Sequence, residues 1–68
     1  MRISYNKLWK ILIDKDMKRK DLQEVAGISS ASVAKLGKGD NITTDVLLRI
    51  CDALDCPIDD ILDTIKDE

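Results

Sequence analysis

Gly27-Ile28-Ser29 is a three-residue connection between two short segments of helical apolar spacing, and it narrows the possible folds sharply. Leu22 and Ala26 lie four apart before it, and Val33 and Leu36 three apart after it. A glycine just past a helix end readily takes the left-handed conformation, and a serine then caps the next helix. The pattern predicts helices from about Arg19 to Ala26 and from Ser30 to about Lys38, with the isolated Ile28 plugged into the core. Two helices joined so tightly have the layout of a helix-turn-helix, here about residues 19–38.

The flanking segments read as helical too. Ser4 is the expected N-cap of a first helix running to about Lys15, with Tyr5, Leu8, Trp9, Ile11, Leu12 and Ile13 on its apolar side. Trp9 reads as a core residue rather than a ligand-stacking ring, and Met17 closes the connection that follows. Gly39-Asp40-Asn41 has turn composition. Thr43 or Thr44 caps a fourth helix, with Asp45 in its first turn, where the helix dipole favours an anion. Its stripe, Leu47, Ile50, Cys51 and Leu54, follows the i, i+3, i+4, i+7 pattern, which makes Cys51 a small buried hydrophobe. Pro57 suits the first turn of a fifth helix carrying Ile58, Ile61 and Leu62. Ile65 continues that spacing into an acidic tail, residues 63–68, expected to fray. No segment alternates apolar with polar residues, so strands are not expected. The fold class is all-α, a compact bundle of five helices.

The length of 68 residues allows one domain spanning residues 1–68, with its core about 5–62. At 44% hydrophobic and 35% charged residues the chain is too apolar to be disordered. It has no histidine and two cysteines, Cys51 and Cys56. That leaves no zinc set, no other metal site, no cofactor motif and no Ser-His or Cys-His pair, so the chain is not expected to be an enzyme. No apolar run approaches the roughly 20 residues of a membrane helix. The N-terminus lacks a signal core, which points to the cytoplasm.

Charge is distributed unevenly. Residues 1–39 hold nine Lys/Arg against four acids, a net of +5, whereas residues 40–68 hold two against nine, a net of −7. Such asymmetry favours a basic face for a polyanion and an acidic face turned away from it. The acids of the second half, among them Asp52, Asp55, Asp59, Asp60, Asp63, Asp67 and Glu68, lack calcium-loop spacing and read as a solvated face. Lys18-Arg19-Lys20 is the sharpest part of the basic half. Three cations at a helix N-terminus oppose its dipole at about 0.3–1 kcal/mol each, and nothing in the sequence calls for them. A bound phosphate reverses that sign, because the free N–H groups and the cations then act together.

The segment from Met17 through Leu36 resembles the lambda-repressor/Cro family of DNA-binding domains, often called the XRE family. It carries a leucine early in the first motif helix (Leu22), a glycine at the turn (Gly27), then an apolar residue (Ile28), a capping serine (Ser29) and apolar Val33 and Leu36. The stretch from Leu47 to Leu62 is similar to that family's fourth and fifth helices, so the likeness covers about residues 5–62. Five positions depart from the family pattern, among them Ser30, in place of a longer base-reading side chain, and Asp40, in a loop that is often basic. Lys18 replaces the usual Ser/Thr cap, Gln23 replaces an alanine, and Gly37 stands where a glutamate commonly pairs with an arginine of the first helix.

The resemblance implies a regulator, expected to be a repressor, binding a double-stranded DNA operator as a homodimer with the third helix in the major groove. Ser30, Ala31, Ser32 and Lys35 supply the base-reading face: Lys35 suits guanine O6/N7, the serines suit several bases, and Ala31 suits a thymine methyl. Lys18, Arg19, Lys20 and Lys38 are the phosphate candidates, with Asn41 and Thr43 as weaker ones. The dimer surface is expected around Cys56, Pro57, Ile58, Ile61 and Ile65. The competing readings are an antitoxin-like or accessory regulator whose main partner is another protein, and a pure protein-interaction module that has lost DNA.

Overall fold

Four helices carry the fold in the computed structural model, which describes residues 1–66. They are α1 (Asn6–Asp14), α2 (Arg19–Ala26), α3 (Ser30–Lys38) and α4 (Thr44–Leu54). A single 3-10 turn (Ile58–Asp60) follows, and strand β1 (Arg2–Ser4) pairs antiparallel with β2 (Asp63–Ile65). The register sets Arg2 opposite Ile65, Ile3 opposite Thr64 and Ser4 opposite Asp63. None of the described helices is long and apolar enough to cross a membrane.

The helices form where the apolar spacing places them, and they bury one common core. Leu8, Leu22, Leu36, Ile50 and Ile61 are its fully enclosed side chains. The α4 stripe is buried as its spacing requires, at Leu47, Ile50, Cys51 and Leu54. At its N-terminus the Thr43 hydroxyl accepts the Val46 N–H at 3.3 Å, one of the helix's unsatisfied donors.

All four helices end in the same hydrogen-bonded motif. A left-handed residue follows each helix, namely Asp16, Gly27, Gly39 and Asp55, and the next N–H folds back to a carbonyl five residues earlier. These bonds run from Met17 to Leu12 (2.8 Å), Ile28 to Gln23 (3.2 Å), Asp40 to Lys35 (3.0 Å) and Cys56 to Cys51 (3.1 Å). The motif commonly returns an apolar side chain to the helix it closes. Here it tucks Met17, Ile28 and Cys56 against the core, which accounts for Ile28 being a lone apolar residue between polar ones.

Several expectations are corrected. The fifth helix is absent: Pro57 caps only a 3-10 turn, and Ile65 lies in a strand rather than on a helical stripe. The reason is non-local, because the backbone of residues 63–65 finds its partners in residues 2–4 instead of in its own preceding turn. The fold is therefore mostly helical rather than all-α with five helices. Ser4 belongs to β1, and Tyr5 is the residue flanking α1, without a side-chain cap. The Ser4 hydroxyl accepts the Asn6 N–H at 3.4 Å, a weak remnant of the expected role. Ile13 is 76% exposed, off the buried face of α1. Asp67 and Glu68, placed by the sequence in the solvated acidic face, lie outside the described residues.

Candidate nucleic-acid interface

The third helix starts with small side chains, and its cap holds them in place. The Ser29 hydroxyl accepts the Ser32 N–H at 3.2 Å and lies 3.1 Å from the Ser32 hydroxyl. Ser30 and Ala31 are exposed in this first turn, Ser32 is half-buried, and Lys35 stands exposed one turn further along. Nothing bulky on that turn keeps the α3 backbone from approaching a groove.

Between α3, the loop after it and the start of α4 lies an open hollow of about 360 Å³, lined by Ser32, Lys35, Asn41, Ile42, Thr43 and Val46. It brings two residues expected to read bases, Ser32 and Lys35, together with two expected at phosphates, Asn41 and Thr43. Ile42 and Val46 add apolar surface that the sequence reading missed; only their proximity to a capping threonine hinted at it. The loop is tied from beneath, where the buried Tyr5 hydroxyl donates to the Asp40 carbonyl at 2.8 Å. Burial, and then the nearby Asp40 carboxylate, push the Tyr5 phenol above its ordinary pKa, so this donor keeps its proton. Thr43 accepts from Val46 and still has its own hydroxyl proton to donate outward.

The second cationic group sits at the N-terminus of α2. The Lys18 N–H donates to the Asp21 carboxylate at 2.9 Å, the half of a capping box that does not need a Ser/Thr cap, and Asp21 puts a negative charge in the first turn. Lys18, Arg19 and Lys20 are all exposed. Arg19 does have an internal partner: its guanidinium carbon lies 4.5 Å from the centre of the half-buried Trp9 ring. The absence of any structural reason for these cations is thereby corrected for Arg19, and Trp9 is a stacking platform as well as a packing residue. Lys38 is exposed in the last turn of α3, where a cation also complements the helix dipole.

Arg49 is a bracing residue missed from the sequence. Its Nε donates to Asp45 at 3.0 Å, and its Nη1 to the Gly27 carbonyl at 3.4 Å, so α4 is tied to the turn between α2 and α3. The i, i+4 spacing of Asp45 and Arg49 was the available signal. Both side chains are more than half exposed, so the ion pair contributes at most about 0.3–0.5 kcal/mol.

The expected dimer surface is only partly outward. Pro57 is exposed, Ile58 is 40% exposed, and Cys56 and Ile65 are half-buried. Ile61 is 0% exposed within the monomer, because the 3-10 turn points it into the core, and it is corrected from interface to core. The Cys51 and Cys56 thiols are free, and burial pushes both above the ordinary thiol range. Among the described residues no three His, Cys, Asp or Glu side chains converge as a metal site.

The comparisons with known proteins agree with this geometry. The family described as the Cro/C1-type HTH DNA-binding domain matches residues 7–67. A crystal structure of the transcriptional regulator VanUg superposes with a TM-score of 0.92 at 50% sequence identity, covering 97% of this chain and 88% of that one. No curated protein matches the sequence.

Proposed function

The chain belongs to the Cro/C1-type helix-turn-helix DNA-binding domains, and on that premise we propose that it is a transcriptional repressor that reads operator DNA as a homodimer. The domain binds DNA and is not an enzyme. In this reading α3 enters the major groove, with Ser30, Ala31, Ser32 and Lys35 at base edges. Lys18, Arg19, Lys20, Lys38, Asn41 and Thr43 face the flanking phosphates. The observation that carries it is the uncluttered first turn of α3, with Ser30 and Ala31 exposed, together with the hollow that joins Ser32 and Lys35 to Asn41 and Thr43. Phosphate contacts set register and base contacts set sequence preference, and the two residue groups divide accordingly.

Dimerisation supplies a second half-site, because one recognition helix reads only a few base pairs. Pro57 and Ile58, with the half-buried Cys56 and Ile65, are the surface proposed for it. Repression follows from occupancy: a protein seated in the groove over promoter elements excludes the polymerase by overlap.

The test is a binding selection from a random duplex library, followed by salt titration of the recovered sequences. The expected product is an inverted repeat with half-sites about 10–10.5 base pairs apart. The Lys35→Glu variant should no longer enrich it, whereas Arg19→Ala should weaken all duplexes about equally. Lys35→Glu selecting the same sequence as the parent would remove α3 from the reading role.

A further inference from the structure

Arg19 is held by two residues that the helix-turn-helix pattern itself does not require. Trp9 on α1 lies under its guanidinium, 4.5 Å from ring centre to Cζ. Gly37 on α3 lies at its edge, where a Cβ would sit 2.7 Å from Nη1, closer than such atoms approach one another. Gly37 is the penultimate residue of α3, where glycine is a poorer helix former than alanine and no left-handed backbone demands it. A side chain at position 37 would have to displace the Arg19 guanidinium, the far end of a flexible side chain.

Stacking engages only the face of a guanidinium, whereas its N–H donors lie in the plane. Among the described residues no carboxylate pairs with Arg19, so its charge is uncompensated there. Lys18 and Lys20 flank it at the same helix terminus. A guanidinium held over an aromatic ring, with no carboxylate partner among the described residues, keeps N–H donors for bidentate contact with an anionic oxygen pair.

We propose that Trp9 and Gly37 are positioning residues that hold the Arg19 guanidinium ready for a backbone phosphate of duplex DNA. The proposal rests on the DNA-binding reading above and adds how one contact is prearranged. Trp9 removes rotamer freedom that Arg19 would otherwise lose on binding, and Gly37 keeps the adjoining space open. Neither touches DNA, so each acts through Arg19.

The experiment measures affinity and its salt dependence for a fluorescein-labelled duplex recovered from the library, and for a scrambled duplex of equal length. Wild type, Arg19→Ala, Trp9→Leu, Gly37→Ala and the Trp9→Leu/Arg19→Ala double variant are compared, with thermal melts of each. Arg19→Ala is expected to weaken both duplexes and to reduce the slope of log affinity against log salt by about 0.9, one phosphate contact. Trp9→Leu and Gly37→Ala are expected to weaken both duplexes about 2- to 10-fold, the cost of ordering one long side chain. Gly37→Ala is the decisive variant because it favours the helix, so weaker binding with an undiminished melting temperature cannot come from unfolding. In the Arg19→Ala background Trp9→Leu should change affinity no further. Parental binding by Gly37→Ala and Trp9→Leu, or a full Trp9→Leu effect persisting without Arg19, would overturn the positioning role while leaving DNA binding intact. Wild type binding neither duplex at low salt would instead overturn the DNA-binding reading, and this proposal with it.

Discussion

Tyr5 connects two parts of the molecule through one atom. Its ring is buried beside α1, and its hydroxyl holds the Asp40 carbonyl in the loop that leads to Asn41 and Thr43. Tyr5→Phe should therefore cost about 0.5–1.5 kcal/mol of stability, as one lost neutral hydrogen bond, measurable by urea denaturation. The same phenol, with the thiols of Cys51 and Cys56, makes a pH prediction. All three groups have raised pKa values in the fold, burial being the largest cause in each. The folded state therefore keeps protons that the unfolded chain releases. Their contribution is fully present below the unfolded thiol pKa of about 8.5 and is lost as pH rises through the folded values. Melting temperature should be insensitive to these groups near neutrality and fall from about pH 9 upward, with Tyr5→Phe removing the later part of the fall. A profile no steeper in the parent than in a Tyr5→Phe/Cys51→Ala/Cys56→Ala triple variant would contradict this.

Among the elements, the helix ends are where stability remains to be gained. Asp16 and Asp55 sit at positive φ, +55° and +52°, Asp16 two residues past the end of α1 and Asp55 immediately after α4. A side chain in the left-handed region is strained, and an anion beside a helix C-terminus meets the unfavourable end of the dipole. Asp16→Gly and Asp55→Gly should each stabilise the fold by about 0.5–1 kcal/mol, whereas Gly27→Ala, at φ +65°, should destabilise it by a similar amount. Thermal melts of the three single variants check the opposite signs. These ends also show what the sequence makes legible. The spans of α2 and α3, the Ser29 and Thr43 caps and the α4 stripe follow from residues within a turn of one another, so spacing alone places them. The C-terminal segment misleads for the same reason. Ile58, Ile61, Leu62 and Ile65 have helical spacing, yet residues 63–65 pair with β1 at the opposite end of the chain, and three-residue strands leave no alternation to detect. Within the candidate site, exposed cations and small residues were legible one by one. The stacking of Trp9 on Arg19 and the space beside Gly37 depend on how three helices meet.

For the molecule as a whole, the charge asymmetry and the C-terminal surface lead to one prediction about assembly. The cations at the start of α2 and on α3 belong to the basic half of the sequence, while the 3-10 turn carries exposed Asp59 and Asp60 beside exposed Ile58. A polyanion is drawn to the first region and repelled by the second, so a dimer joined near Ile58 keeps both recognition helices available. Carboxylates at the rim also disfavour unlimited association, because copies that approach out of register bring like charges together. Ile58→Glu adds a further anion at the proposed contact without disturbing the buried Ile61. Its thermal stability as a monomer should remain near that of the parent, since the side chain is already 40% exposed. Its affinity for a single half-site should fall little, but binding to the inverted repeat should lose the cooperative gain of the second subunit. Sedimentation on the two duplexes separates these outcomes. Two copies of Ile58→Glu binding the repeat with parental cooperativity would place the contact elsewhere, with exposed Val25 and Leu48 the next apolar positions to substitute. A uniform loss on both duplexes would show instead that residue 58 acts through the fold and not through assembly.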